Sequence, residues 1–277
     1  VGDPELGSGE GSSSGVEAVA DAFALAGSEG RAALMPYLMG AFPDVATATA
    51  VANAYVDSGA DLIELGVPFS DPLADGPVIH AAATRALDAG ANLESVLETC
   101  RAVSARIPVV LLCYANMILG EPETFARKIA EAGAAGAIVP DLPLEEARPV
   151  REAFDAEGLV LVPLIAPTTP PNRRKAIAEQ ARGFIYLVSS TGTTGERARM
   201  ADDLSVLISE VREVSEVPVA VGFGISNAKQ VAEIGGVAGG VIIGSRLVRA
   251  VDEAGDPDAA VEAVSVVVGE SADALRR

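Results

Sequence analysis

The sequence predicts an α/β fold, a (β/α)8 TIM barrel preceded by one extra N-terminal helix. Three observations lead there: eight short apolar runs, helical stretches alternating with them, and a length of 277 residues, in the range of a single such barrel. An open doubly wound sheet is the runner-up, but no G-x-G-x-x-G follows the first apolar run, as a dinucleotide fold of that kind would suggest.

Residues 1–15, "VGDPELGSGEGSSSG", are Gly/Ser-rich and acidic with no burial pattern, and are expected to form a disordered tail before a barrel domain over 16–277. In 16–27, Val16, Val19, Ala20, Phe23 and Ala26 recur at helical spacing and predict the extra helix. The apolar runs at 33–39, 61–66, 108–113, 136–140, 159–165, 184–189, 218–222 and 240–244 read as strands buried on both faces. Helices are expected at 44–58, 92–105, 121–132, 144–157, 170–181, 202–215 and 227–235, with a final one around 257–275. The stretch that follows the second run, up to residue 87, also ends like a helix.

Acids outnumber bases by 39 to 20, which argues against nucleic acid and anionic membranes as partners, because binding to polyphosphate needs basic patches. A solvated acidic surface is the plain interpretation; acid excess together with only three lysines, Lys128, Lys175 and Lys229, favours adaptation to high salt. No apolar run reaches the roughly 20 residues of a membrane span, and the start lacks the pattern of a signal peptide, so a cytoplasmic protein is expected. Cys100 and Cys113 show no C-x-x-C spacing and are expected to be packing residues.

The chemistry is expected at the C-terminal ends of the strands. "LIELGVPFSDPLADGPVIHAAATRAL", residues 62–87, places Glu64 inside an apolar run and Asp75 in the loop beyond it. Two carboxylates at one barrel mouth, one among apolar walls and one in a polar loop, can have their pKa values pushed apart and divide acid and base roles. A structurally paired Glu and a helix-capping Asp would produce the same spacing. Gly-rich turns in "SSTGTTGERA" (189–198), "GFGIS" (222–226) and "IIGSRL" (242–247) follow the last three strands, where such barrels commonly bind phosphate. All three lysines fall in helical stretches, which disfavours Schiff-base chemistry. His80, the single histidine, is expected to face solvent or be satisfied within its helix, with a site-lining role as the alternative. No His/Asp/Glu cluster has metal spacing. Acid/base chemistry by carboxylates on a phosphate-bearing substrate remains.

"ELGVPFSDPLADGP", with "YAN" (114–116), "DLP" (141–143), "TGTTG" (191–195), "GFGIS" and "GS" (244–245) following in order, resembles the tryptophan synthase alpha subunit family over roughly residues 16–275. The resemblance implies cleavage of indole-3-glycerol phosphate to indole and glyceraldehyde 3-phosphate, with no cofactor in this chain. It also implies a partner beta subunit that carries pyridoxal phosphate, in a heterotetramer of two alpha and two beta chains. Matched position by position, Glu64 is similar to the family's general acid/base and Asp75 to the carboxylate that stabilises positive charge at the indole nitrogen. Tyr37, Leu112, Ile138, Tyr186 and Phe223 match the indole pocket; Gly195, Gly224, Gly244 and Ser245 match the phosphate cradle; Thr194 matches a lid-loop residue. Asp71, Pro72, Asn116 and Asp141 match positions in or beside the interface with the beta subunit. Ala41 stands where many members have Gly, and Ser190 where some have Arg; if position 41 needs φ > 0, Ala there costs about 1 kcal/mol. Another phosphate-sugar barrel, such as an isomerase, and a silent paralogue serving as an allosteric partner are the competing interpretations; the complete signature argues against the first and the intact carboxylates against the second.

Overall fold

The computed structural model describes residues 14–188, 197–222 and 224–276. It opens with α1 (Gly15–Ser28), then β1 (Ala33–Met39), α2 (Val45–Asp57), β2 (Ile63–Gly66), α3 (Pro77–Asp88), α4 (Leu93–Val103) and β3 (Val109–Leu112). A short 3-10 turn (Ala115–Met117) leads to α5 (Pro122–Glu131), β4 (Gly136–Ile138), α6 (Ala147–Ala156), β5 (Val160–Val162), β6 (Leu164–Ile165) and α7 (Pro171–Ala178). The chain closes with β7 (Ile185–Val188), α8 (Arg197–Arg212), β8 (Val219–Gly222), α9 (Ala228–Gly235), β9 (Gly240–Ile243), α10 (Ser245–Glu253) and α11 (Pro257–Leu275).

The strands pair in parallel in the order β5-β4-β3-β2-β1-β9-β8-β7-β6. The two ends of that order are consecutive in the chain, so the sheet curls into a barrel whose seam lies between them. The expected strand 159–165 is divided there. Pro163 has no N–H to give to a ladder, and its carbonyl accepts instead from the Tyr186 N–H at 3.0 Å, which turns the chain from β4 toward β7. Sequence periodicity placed α8 too late, at 202 rather than Arg197, and did not mark α10 as a helix at all. Leu247, Val248 and Val251 form the buried stripe of α10.

Local chemistry sets the element ends. Asp44, Asn92, Asn227 and Asp256 accept first-turn N–H groups at the starts of α2, α4, α9 and α11. Proline opens α3, α5 and α7, where its missing N–H would be unpaired in any case. Ser14 and Gly15, expected in the tail, instead cap and begin α1 through a capping box with Glu17; residues 1–13 lie outside the described residues.

Two layers of core follow from the alternation of side chains along each strand. The outer layer packs the strands against the helices and buries Tyr55, Phe125, Phe154 and many aliphatic residues, Cys100 and Cys113 among them. The inner layer fills the barrel with Met35, Leu62, Val110, Ile138, Val160, Phe184, Ala220 and Ile242. The N-terminal helix closes the base of the barrel. Val19 and Phe23 of α1 join the inner layer, with the Phe23 and Phe184 ring centroids 5.5 Å apart. Arg31, just after α1, grips Asp61 with two hydrogen bonds of 2.6 and 2.8 Å, and Asp61 also accepts the Leu34 N–H at 2.8 Å, so the base is tied to β1 and β2. Both charged side chains are only 8% exposed, so removing one partner would leave the other charge poorly solvated. The three lysines lie on α5, α7 and α9 with exposed side chains. Among the described residues no helix is long and apolar enough to cross a membrane.

Candidate active site

Strand alternation decides which way Glu64 points. Leu62 belongs to the inner layer, so Glu64 and Gly66, two and four residues on, face the interior toward the mouth. Glu64 is 1% exposed, and its Oε2 has no hydrogen-bond partner. A buried carboxylate with an unpartnered oxygen is costly in the charged form. Burial, with a further contribution from the negative charge of Asp75, pushes the Glu64 pKa up to about 8.

Its walls are tyrosines. Tyr37 on β1 is the Cα partner of Glu64 across the parallel ladder, and Tyr186 on β7 closes the opposite side; both are buried. Burial raises the pKa of each phenol well above the usual value, and the negative charges of Glu64 and Asp75 raise it further, so both remain neutral. Each ring lies over a glycine. A Cβ on Gly66 would fall 2.1 Å from the Tyr37 hydroxyl oxygen, and one on Gly222 would fall 2.2 Å from that of Tyr186. Glycine is required at both positions if the phenols are to stay at the mouth. Leu112 and Ile138 end β3 and β4, paired with each other in register, and complete the apolar wall.

Asp75 sits in the loop between β2 and α3 and is half-buried. Burial raises its pKa; a hydrogen bond from the Tyr114 hydroxyl and the charge of His80 oppose that rise. His80 is exposed on α3, as expected of a helix histidine, yet its charge reaches Asp75. Tyr114, 1% exposed, was missed by sequence reasoning. It lies within the quoted "YAN" motif, but its contact with a loop 40 residues earlier in the chain leaves no local signature.

The strand ends of the other half supply backbone donors. Gly244 is the N-cap of α10, makes no side-chain cap bond and is followed by Ser245 as the first helical residue. The first-turn N–H groups of such a helix are suited to an anion. A Cβ at Gly244 would meet Ile79 Cδ1 at 3.6 Å and Tyr37 Cβ at 3.7 Å, ordinary contacts, so internal packing alone does not demand glycine there. Gly224 has φ +74°, a conformation that does favour glycine. Thr194, Gly195 and Phe223, expected at this site, and Ser190 lie outside the described residues.

Around the mouth, Asp71 and Asn116 are exposed, while Pro72 and Asp141 are partly buried. Asp141 is not a free surface charge, since its Oδ1 accepts the Ala115 N–H at 2.8 Å. Leu73, 84% exposed beside Pro72, and Leu119, 45% exposed after the 3-10 turn, add apolar surface to the same loops, and neither was singled out from sequence. Ala41, in the loop after β1, has φ +55°.

The arrangement can hold one proton on a buried carboxyl near neutral pH and keep a second carboxylate beside it under hydrogen-bond control. It can also offer helix N–H groups to an anion. Known proteins resemble this chain in sequence and fold. The family model described as tryptophan synthase alpha chain matches residues 23–276. The tryptophan synthase alpha chain of Synechococcus elongatus is 48% identical over 264 residues, covering 94% of this chain and 97% of that protein. That of a Synechocystis species is 44% identical, covering 94% of this chain and 100% of that one. Among solved structures, Mycobacterium tuberculosis tryptophan synthase is similar at a TM-score of 0.85 with 37% identity, covering 94% of this chain and 98% of that chain. Tryptophan synthase subunit alpha from Legionella pneumophila follows at 0.84 with 31% identity, covering 95% and 99%.

Proposed function

The chain belongs to the tryptophan synthase alpha chain family and is a lyase that cleaves indole-3-glycerol phosphate to indole and glyceraldehyde 3-phosphate in tryptophan biosynthesis; from that premise we propose that Glu64 and Asp75 carry the reaction. The observation that supports this most is the fully buried Glu64 carboxyl, facing the barrel interior with an unpartnered oxygen. With a pKa of about 8, it holds a proton at neutral pH. It gives that proton to C3 of the indole ring, which leaves the ring as an indolenine with positive charge on nitrogen. Asp75 stabilises that charge. The carboxylate now on Glu64 takes the proton of the glycerol hydroxyl beside the scissile bond. The carbon–carbon bond then breaks, its electron pair restores the aromatic ring, and the aldehyde leaves with its phosphate.

Tyr37, Leu112, Ile138, Tyr186 and Phe223 form the indole pocket in this proposal, and Gly195, Gly224, Gly244 and Ser245 the phosphate cradle, with Thr194 on a closing loop. The chemistry uses this chain's own side chains and no cofactor. Its partner is a beta subunit bearing pyridoxal phosphate, in a cytoplasmic assembly of two alpha and two beta chains. Asp71, Pro72, Asn116 and Asp141 lie in or beside that contact, and exposed Leu73 adds an apolar element to it.

The proton role is tested by following deuterium entry from heavy water into C3 of indole in the presence of glyceraldehyde 3-phosphate. The wild-type chain should catalyse the exchange and Glu64→Gln should lose it. Exchange at the wild-type rate by Glu64→Gln would overturn the assignment.

A further inference from the structure

We propose that Tyr114 is a positioning residue for Asp75, and that Asp141 fixes Tyr114 in turn, so that a loop at the rim of the barrel sets the place of the catalytic carboxylate. This rests on the role of Asp75 given above. The Tyr114 hydroxyl accepts the N–H of Ala74, the residue next to Asp75, at 3.3 Å, and lies near enough to the Asp75 carboxyl to favour its ionised form. Its ring is stacked on Phe69, with centroids 5.0 Å apart and an interplanar angle of 23°. Phe69 and Ala74 belong to the same loop, on either side of exposed Leu73. One buried side chain from the end of β3 thus holds the start and the end of the loop that carries Asp75. A phenol has two rotatable torsions and loses little entropy when stacked, so it makes a stiff strut.

The second half of the link is Asp141. It lies in the loop after β4, and its carboxylate accepts the N–H of Ala115, the residue next to Tyr114 and the first of the 3-10 turn. That bond fixes the backbone from which the phenol projects. A carboxylate acceptor makes such a bond stronger than a neutral one, so the turn is firmly held. Movement of the Asp141 loop would therefore be felt at Asp75 through two hydrogen bonds and one ring.

The groups facing Asp75 come from several elements: Tyr114 from the start of the turn after β3, His80 from α3, Glu64 from β2, Tyr37 from β1 and Tyr186 from β7. Of these, Tyr114 and His80 favour the ionised form of Asp75. Loss of the phenol hydroxyl removes an interaction that favours the ionised carboxylate and raises the Asp75 pKa. The acidic limb of the rate profile, where Asp75 must be ionised, then moves to higher pH.

The experiment is the pH dependence of kcat/KM for indole-3-glycerol phosphate with the full chain as wild type, Tyr114→Phe, Asp141→Ala and Asp75→Asn, each with a thermal melt. Tyr114→Phe keeps the stack on Phe69 and should lower kcat about tenfold or more, with little change in KM and an acidic limb shifted upward. Asp141→Ala should shift that limb in the same direction by a smaller amount. A lowered melting temperature with the limb unmoved in both variants would overturn the strut while leaving Asp75 catalytic, provided Asp75→Asn is impaired. A wild-type profile for Asp75→Asn would overturn the underlying role and the strut together.

Discussion

Asp75 bears on Glu64: the two carboxyls share the mouth of the barrel, and the charge of Asp75 adds to burial in holding a proton on Glu64 up to a pH of about 8. Because the reaction begins with proton donation, the protonated form of Glu64 is the competent one, and turnover should fall as pH rises through that value. Titration of the Glu64 carboxyl by carbon-13 NMR checks the cause. Asp75→Asn should move its pKa downward but leave it above the usual range for glutamate, since burial is the larger contribution.

Ala41 is the non-glycine residue with positive φ among those described, at +55°. An L side chain is strained there, and glycine is not. Ala41→Gly should stabilise the chain by about 0.5–1 kcal/mol, a rise in melting temperature of about 1–3 °C for a chain of this size. A thermal melt that is unchanged or lower would show that the buried methyl contributes at least as much as the backbone strain costs.

Much of this site could be read from sequence because it depends on strand periodicity. An acid placed among Leu62, Ile63 and Leu65 must either face the inside of a barrel or break a core, and the structure puts Glu64 inside. The divided strand was foreshadowed by Pro163, yet an apolar run of seven residues outweighed one proline. Helix α10 went unread because "GSR" was assigned to a turn, although Leu247, Val248 and Val251 have helical spacing. The contacts that link Asp141 and Tyr114 to the Asp75 loop could not be read, although the family resemblance marks Asp141 as an interface position. These contacts join loops 40 and 26 residues apart in the chain, and no local pattern encodes them.

The chain carries a net charge of −19. Among the described residues the ion pairs are mostly between exposed side chains, which contribute little, so the surplus carboxylates repel without much compensation. Molar potassium chloride should therefore raise the melting temperature relative to dilute buffer. An unchanged midpoint would remove the expectation of a protein adapted to high salt.

Docking of a beta subunit should raise the lyase rate, since the proposed contact residues Asp71 and Pro72 share a loop with Asp75, and Asp141 holds the neighbouring turn. Indole release measured while titrating beta subunit into this chain should rise from a low basal rate to a plateau. Full activity without the partner, and no rise on titration, would contradict the coupling without touching the chemistry at Glu64.

The most direct test of the account is single-turnover indole formation from indole-3-glycerol phosphate by Glu64→Gln, which removes the proton carrier and almost no volume. The variant should remain folded and bind substrate, with the rate of indole formation reduced about 10²–10⁴-fold. Retention of more than about a tenth of the wild-type rate would contradict proton transfer by Glu64.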